Sequence, residues 1–104
     1  MHKTVFIKYV YDAEHADSKA RFAVLTREAE LPFAPVPGQE IQWPLIRSQK
    51  LVQCIWDVER QSFRCQVEND YTVNARVDAP DFDETVEQAP EDGWSVSAVH
   101  PASR

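Results

Sequence analysis

The sequence predicts a mainly β protein, a small antiparallel barrel or half-barrel of five to seven strands with one short helix. Three observations carry this. Residues 51–57 and 62–68 alternate apolar and polar side chains and are joined by Val58-Glu59-Arg60-Gln61, the pattern of a hairpin. Residues 3–11 alternate in the same way and are rich in β-branched and aromatic types. The stretch Leu31-Pro32-Phe33-Ala34-Pro35-Val36-Pro37-Gly38 can be neither helix nor sheet, because each proline removes a donor and extends the residue before it.

The hairpin is the best specified element. With Asp57 closing the loop against Ser62, Trp56 faces Phe63, Cys54 faces Cys65 and Val52 faces Val67, all on one apolar face. The other face reads Ile55 with Arg64, Gln53 with Gln66 and Leu51 with Glu68. A slip of one residue would bring charge into the core, so the register is fixed.

The remaining elements follow in order. Residues 3–11 are the first strand, with Val5, Ile7, Tyr9 and Tyr11 on one side and Phe6 and Val10 among polar residues on the other. A polar turn occupies residues 12–18. Residues 20–31 suit helix by their Ala and Glu content and strand by their alternation; strand is preferred, since the segment runs straight into Pro32. Pro37-Gly38 fits a tight turn, glycine taking the positive φ of a type II position. A short strand at 40–43 ends at Pro44, and a further strand is expected at 71–77. Residues 81–89 form the helix, with Asp81 as its cap, Phe82 and Val86 as its apolar stripe, and Pro90 and Gly93 ending it. Residues 94–99 are the last strand.

A chain of 104 residues suits one domain, 1–104, with a modest core. No apolar run approaches the roughly 18 residues of a membrane span, and no secretory leader can be written, so a cytoplasmic protein with reduced cysteines and no membrane partner is expected. The net charge of −6 opposes binding to polyanions by default. Asp78, Asp81, Asp83, Glu84, Glu87, Glu91 and Asp92 follow one another without an intervening cation, as a solvated surface or a face for a basic partner.

With only Gly38 and Gly93, no phosphate-cradling loop, dinucleotide fingerprint or nucleophile elbow can be written, and no cofactor is expected. Cys54 and Cys65 read as two thiols serving as small hydrophobes, with a cross-strand disulfide or redox pair as the alternative. His2 and His100 near the ends and His15 in a turn read as exposed. No catalytic residue or metal ligand set is assigned; Asp81-x-Asp83-Glu84 lacks the glycine and ligand ladder of a calcium loop. Phe33, Pro35 and Trp43 make either a partner-binding ledge or a lid over the core.

The short bent strands, the Pro37-Gly38 loop before the third strand and the central hairpin resemble the small SH3-like and Sm-like barrels, over residues 3–77 and the last strand. That resemblance implies a binding module. Sm proteins carry a helix before the first strand and glycine-rich, Asp/Asn-containing RNA loops; this chain starts on a strand, and Val58-Glu59-Arg60-Gln61 has no such motif.

The leading expectation is a non-enzymatic interaction module that docks a protein partner or associates with itself as a homodimer, through unpaired edge strands and the Phe33, Pro35 and Trp43 loop. The alternative is an Sm-like or OB-like binder of RNA or single-stranded nucleic acid, using Arg47, Lys50 and Arg64 with Arg21, Arg27 and Arg76 on the same face. A small enzyme using Cys54, His15 or His100 is the third reading.

Overall fold

The computed structural model describes residues 1–12, 21–43, 48–72 and 82–100. It is mainly β, with strands β1 (His2–Asp12), β2 (Phe22–Leu31), β3 (Glu40–Ile41), β4 (Gln49–Asp57), β5 (Ser62–Val67), β6 (Asp70–Thr72) and β7 (Ser95–His100), and one helix, α1 (Phe82–Gln88), between β6 and β7. The hydrogen-bonded order is β3-β4-β5-β1-β2-β7, with β6 also pairing β1. Among the described residues no helix is long and apolar enough to cross a membrane.

Of the ambiguous 20–31 segment Phe22–Leu31 is strand, as its run into Pro32 suggests, and Ala23, Leu25 and Leu31 are buried on it. The sheet is mixed rather than wholly antiparallel, because β1 runs parallel to both β5 and β6. Alternation says which side chains share a face; it carries nothing about strand direction. A parallel pair needs a long connection, and the chain supplies one by placing β2, β3 and β4 between β1 and β5.

The chain divides into two compact units, each drawn from two stretches of sequence. Unit 1 holds residues 1–8 and 26–68. Its centre is the β4–β5 hairpin, whose pairs Asp57 with Ser62, Trp56 with Phe63, Ile55 with Arg64, Cys54 with Cys65 and Gln53 with Gln66 follow the expected register. The loop is held by Asp57, which accepts from the Arg60 backbone N–H at 3.2 Å, and Gln61 takes a φ of 54°. The register then departs from expectation. A bulge between Leu51 and Gln53 sets Leu51, not Val52, against Val67. Leu51 becomes fully buried and Val52 is turned out to solvent. One extra residue in a strand reverses every side chain beyond it.

This yields a direct check. Val52→Lys is expected to change stability by less than about 0.5 kcal/mol, as an exposed substitution does. Leu51→Ala is expected to cost at least about 2 kcal/mol, as core truncations do. Urea melts of the two variants decide it, and the unbulged register would give the reverse order.

The bulge also fixes the loop before β3. Gly38, at φ 91°, donates to the Leu51 carbonyl at 2.7 Å, and Leu51 donates to the Gln39 carbonyl at 2.8 Å. Gln39 donates back to Val36 at 3.3 Å, so Pro37 and Gly38 form the expected turn, with glycine at the positive-φ position. Phe6, Leu31, Ile41, Trp43, Leu51, Cys65 and Val67 complete this core.

Unit 2 holds residues 9–25 and 69–104. Its core is Val10, Ala23, Leu25, Phe82, Ala89 and Trp94, with the polar Asp12 and Thr72. The helix ends at Gln88, one residue before the expected end, and Asp81, the expected cap, lies outside the described residues, as do 73–77 of the expected strand. After α1 the chain closes by a glycine cap. Gly93 takes φ 91° and donates to Pro90 at 3.2 Å, while Trp94 donates to Ala89 at 2.9 Å. Only glycine adopts that left-handed position without strain. The cap turns Trp94 inward immediately before β7.

Candidate functional site

The ledge expected from Phe33, Pro35 and Trp43 is not formed. Trp43 is 5% exposed and Pro35 is buried; Phe33, 39% exposed, is the one that meets solvent. Trp43 serves the core of unit 1. Its ring stands edge-on to Phe6, centroids 5.0 Å apart, and its indole N–H donates to Gln49 Oε1 at 2.9 Å. The Arg27 guanidinium lies over the ring at 4.1 Å. An indole with a satisfied N–H and a cation on its face is held in place by three separate contacts.

Of the basic residues of the nucleic-acid reading, Arg47 and Arg76 lie outside the described residues. Lys50 and Arg64 are exposed, but Lys50 is beside Glu68 while Arg64 pairs with Ile55, roughly 17 Å further along β4 at the usual strand rise. Arg27 is placed on Trp43, and Arg21 is engaged by carboxylates.

Arg21 organises unit 2. Its Nε donates to Asp12 Oδ2 at 2.7 Å, and its terminal nitrogens reach Asp83 at 3.3 and 3.4 Å. The guanidinium also lies 4.5 Å over Phe82. The Asp12 hydrogen bond, ahead of the opposing effect of burial and the Asp83 charge, raises the Arg21 pKa further. This cluster joins the first residue of α1 to the strand layer, which explains how β1 tolerates Asp12 on its buried face.

Cys54 and Cys65 face each other as free thiols. Burial, then a hydrogen bond and charge from Cys54, pushes the Cys65 thiol up to about 12, so it stays protonated at neutral pH and is no nucleophile there. His2 stands edge-on to Phe63 and His100 lies on Phe22, while His15 is outside the described residues. Among the described residues no group of three or more potential metal ligands forms.

Two exposed apolar features remain, neither of them picked out by the sequence. The first is the end of the β4–β5 arm in unit 1. Trp56 is 47% exposed although it packs edge-on against Phe63 at 4.9 Å. Ile55, on the opposite face, is 48% exposed, and Val52 and Val58 are exposed as well. Trp56 and Phe63 therefore leave the core expected of them. The second is an aromatic row in unit 2. Tyr71 of β6 stacks on Tyr11 of β1 at 5.5 Å, Tyr11 meets Phe22 of β2 at 5.5 Å, and Phe22 stacks on His100 of β7 at 4.6 Å. Tyr9 flanks the row against Tyr11 and Phe22. All five rings stay wholly or partly exposed, on the face of β1 opposite Val10 and Asp12.

Charge separates the units sharply. Unit 1 carries seven Lys and Arg against six carboxylates, a net of +1, whereas unit 2 carries four against eleven, a net of −7. The acidity of the protein therefore belongs to unit 2. Comparisons with protein-family models, with curated proteins and with solved structures find no match for this chain.

Proposed function

We propose that the protein is a non-enzymatic interaction module that associates with itself through the end of the β4–β5 arm. The observation that supports this best is the exposure of Trp56, together with Val58 in the hairpin loop and Ile55 on the other face. Large apolar side chains left exposed on a hairpin favour burial against a partner, and tryptophan is among the residues that most often carry the binding energy. Two further features favour a second copy as that partner. Unit 1 is nearly neutral, so like copies meet there without strong repulsion. Among the described strands β3 pairs β4 only at Gln49 and Lys50, which leaves the far part of that β4 edge open to an identical edge.

Sedimentation analysis across protein concentration and at two salt concentrations tests the reading. The wild-type chain is expected to form a dimer that survives high salt, since apolar contact is screened little. Trp56→Ala is expected to weaken it by about 30-fold or more, the equivalent of a hot-spot loss of about 2 kcal/mol. Its melting temperature, taken as monomer, is expected to fall by no more than roughly 10 °C, the cost of the edge contact with Phe63. A monomeric wild type at high concentration, or a dimer indifferent to Trp56→Ala, would sink the proposal.

A further inference from the structure

The aromatic row and the strand at its end point to a second binding surface, independent of the arm. The row crosses β6, β1, β2 and β7 with one ring from each strand, and His100 is its last ring on β7. Among the described strands β7 has one neighbour, β2, so it ends the order. Its sequence, Ser95-Val96-Ser97-Ala98-Val99-His100, holds no lysine, glutamate, aspartate or proline. Those are the residues that usually keep an edge strand from pairing with another chain. Its side chains are exposed apart from a half-buried Ala98.

We infer that β7 takes an extended basic peptide as an added strand, with an arginine side chain of that peptide continuing the aromatic row on His100. A strand laid against β7 would sit about 4.8 Å away, within the 4.6 to 5.5 Å at which the existing rings follow one another. Alternate side chains of the added strand fall on the face that carries the row. A guanidinium suits that position because it stacks flat on an aromatic face. Charge selects the same occupant. The unit that bears β7 has a net charge of −7, which attracts a cationic peptide and repels both an oligonucleotide and a second copy of the same acidic unit.

The probe is a fluorescein-labelled nine-residue peptide alternating arginine and valine, titrated by anisotropy into the full chain. A glutamate-for-arginine peptide and a fifteen-residue oligothymidine are titrated beside it. The arginine peptide is expected to bind at least tenfold tighter than either. Hydrogen exchange should show new protection across Ser95–His100. His100→Ala is expected to weaken binding at least fivefold. Val96→Lys, which places a repelling cation on the exposed edge, gives an independent reading of the same loss. Arginine-peptide binding without protection of β7 would mean simple attraction to acidic surface and would overturn the assignment. Tighter binding of the oligothymidine would overturn it in favour of base stacking. Dimerisation through Trp56 is a separate readout, so either proposal can fail alone.

Discussion

Trp43→Ala is expected to lower the stability of the protein by about 3–5 kcal/mol, the usual cost of emptying a buried tryptophan site. Three contacts go together: the edge packing on Phe6, the Arg27 guanidinium over the ring, and the hydrogen bond to Gln49. The last loss matters most per atom, because Gln49 is itself buried and its Oε1 would lose the indole donor. Trp43→Phe separates the terms. It keeps most of the packing and removes only the N–H, and is expected to cost about 1–3 kcal/mol. Domains of this size hold only about 5–15 kcal/mol, so the alanine variant sits close to unfolding at room temperature. Urea denaturation measures both. A loss below about 1 kcal/mol for Trp43→Ala would show the indole to be surface after all and revive the Phe33, Pro35 and Trp43 ledge.

That outcome turns on what the sequence can and cannot say. Flanking prolines mark Trp43 as lying in irregular chain, but nothing local says whether Gln49 and Arg27 come to meet it. Both are distant in sequence or on another strand, and a lid differs from a ledge only by such partners. The hairpin was legible for the opposite reason. Its pairs from Asp57–Ser62 to Gln53–Gln66 are set by the loop length and by local alternation, both visible in a window of about twenty residues. The reading failed where a bulge intervened. No glycine marks the bulge, and the apolar pair Leu51-Val52 fits either register, so only the packing of Leu51 against Val67 decides it.

The first strand shows a subtler limit. Val5, Ile7, Tyr9 and Tyr11 are the more apolar side of the alternation, Phe6 and Val10 sit among polar residues on the other, and Asp12 reads as the start of a turn. The structure buries Thr4, Phe6, Lys8, Val10 and Asp12 and leaves the more apolar set half-exposed. Period-two patterning assigns faces reliably only when each charge stays in water. Here Asp12 is paired with Arg21, nine residues on. With that face buried, Tyr9 and Tyr11 stay half-exposed on the other and join the aromatic row.

That ion pair carries the second large effect. Arg21→Ala is expected to cost about 3 kcal/mol, because it strips the guanidinium from a carboxylate with no solvent exposure. The Asp83 half of the cluster adds little on its own, since Asp83 is 68% exposed and surface pairs are worth about 0–1 kcal/mol. Arg21→Lys keeps the charge but cannot serve Asp12, Asp83 and the Phe82 ring from one planar group, and is expected to lose about 1–2 kcal/mol. Adding Asp12→Asn to Arg21→Ala should recover at least about 1 kcal/mol, because the second change removes the buried charge that Arg21 had offset. Hydrogen exchange should show α1 opening more readily in Arg21→Ala, since the cluster ties Phe82 and Asp83 at the start of α1 to β1 and to the residue preceding β2. An additive double variant, or unchanged exchange in α1, would mean that Asp12 is held by its other contacts and that Arg21 contributes only surface charge.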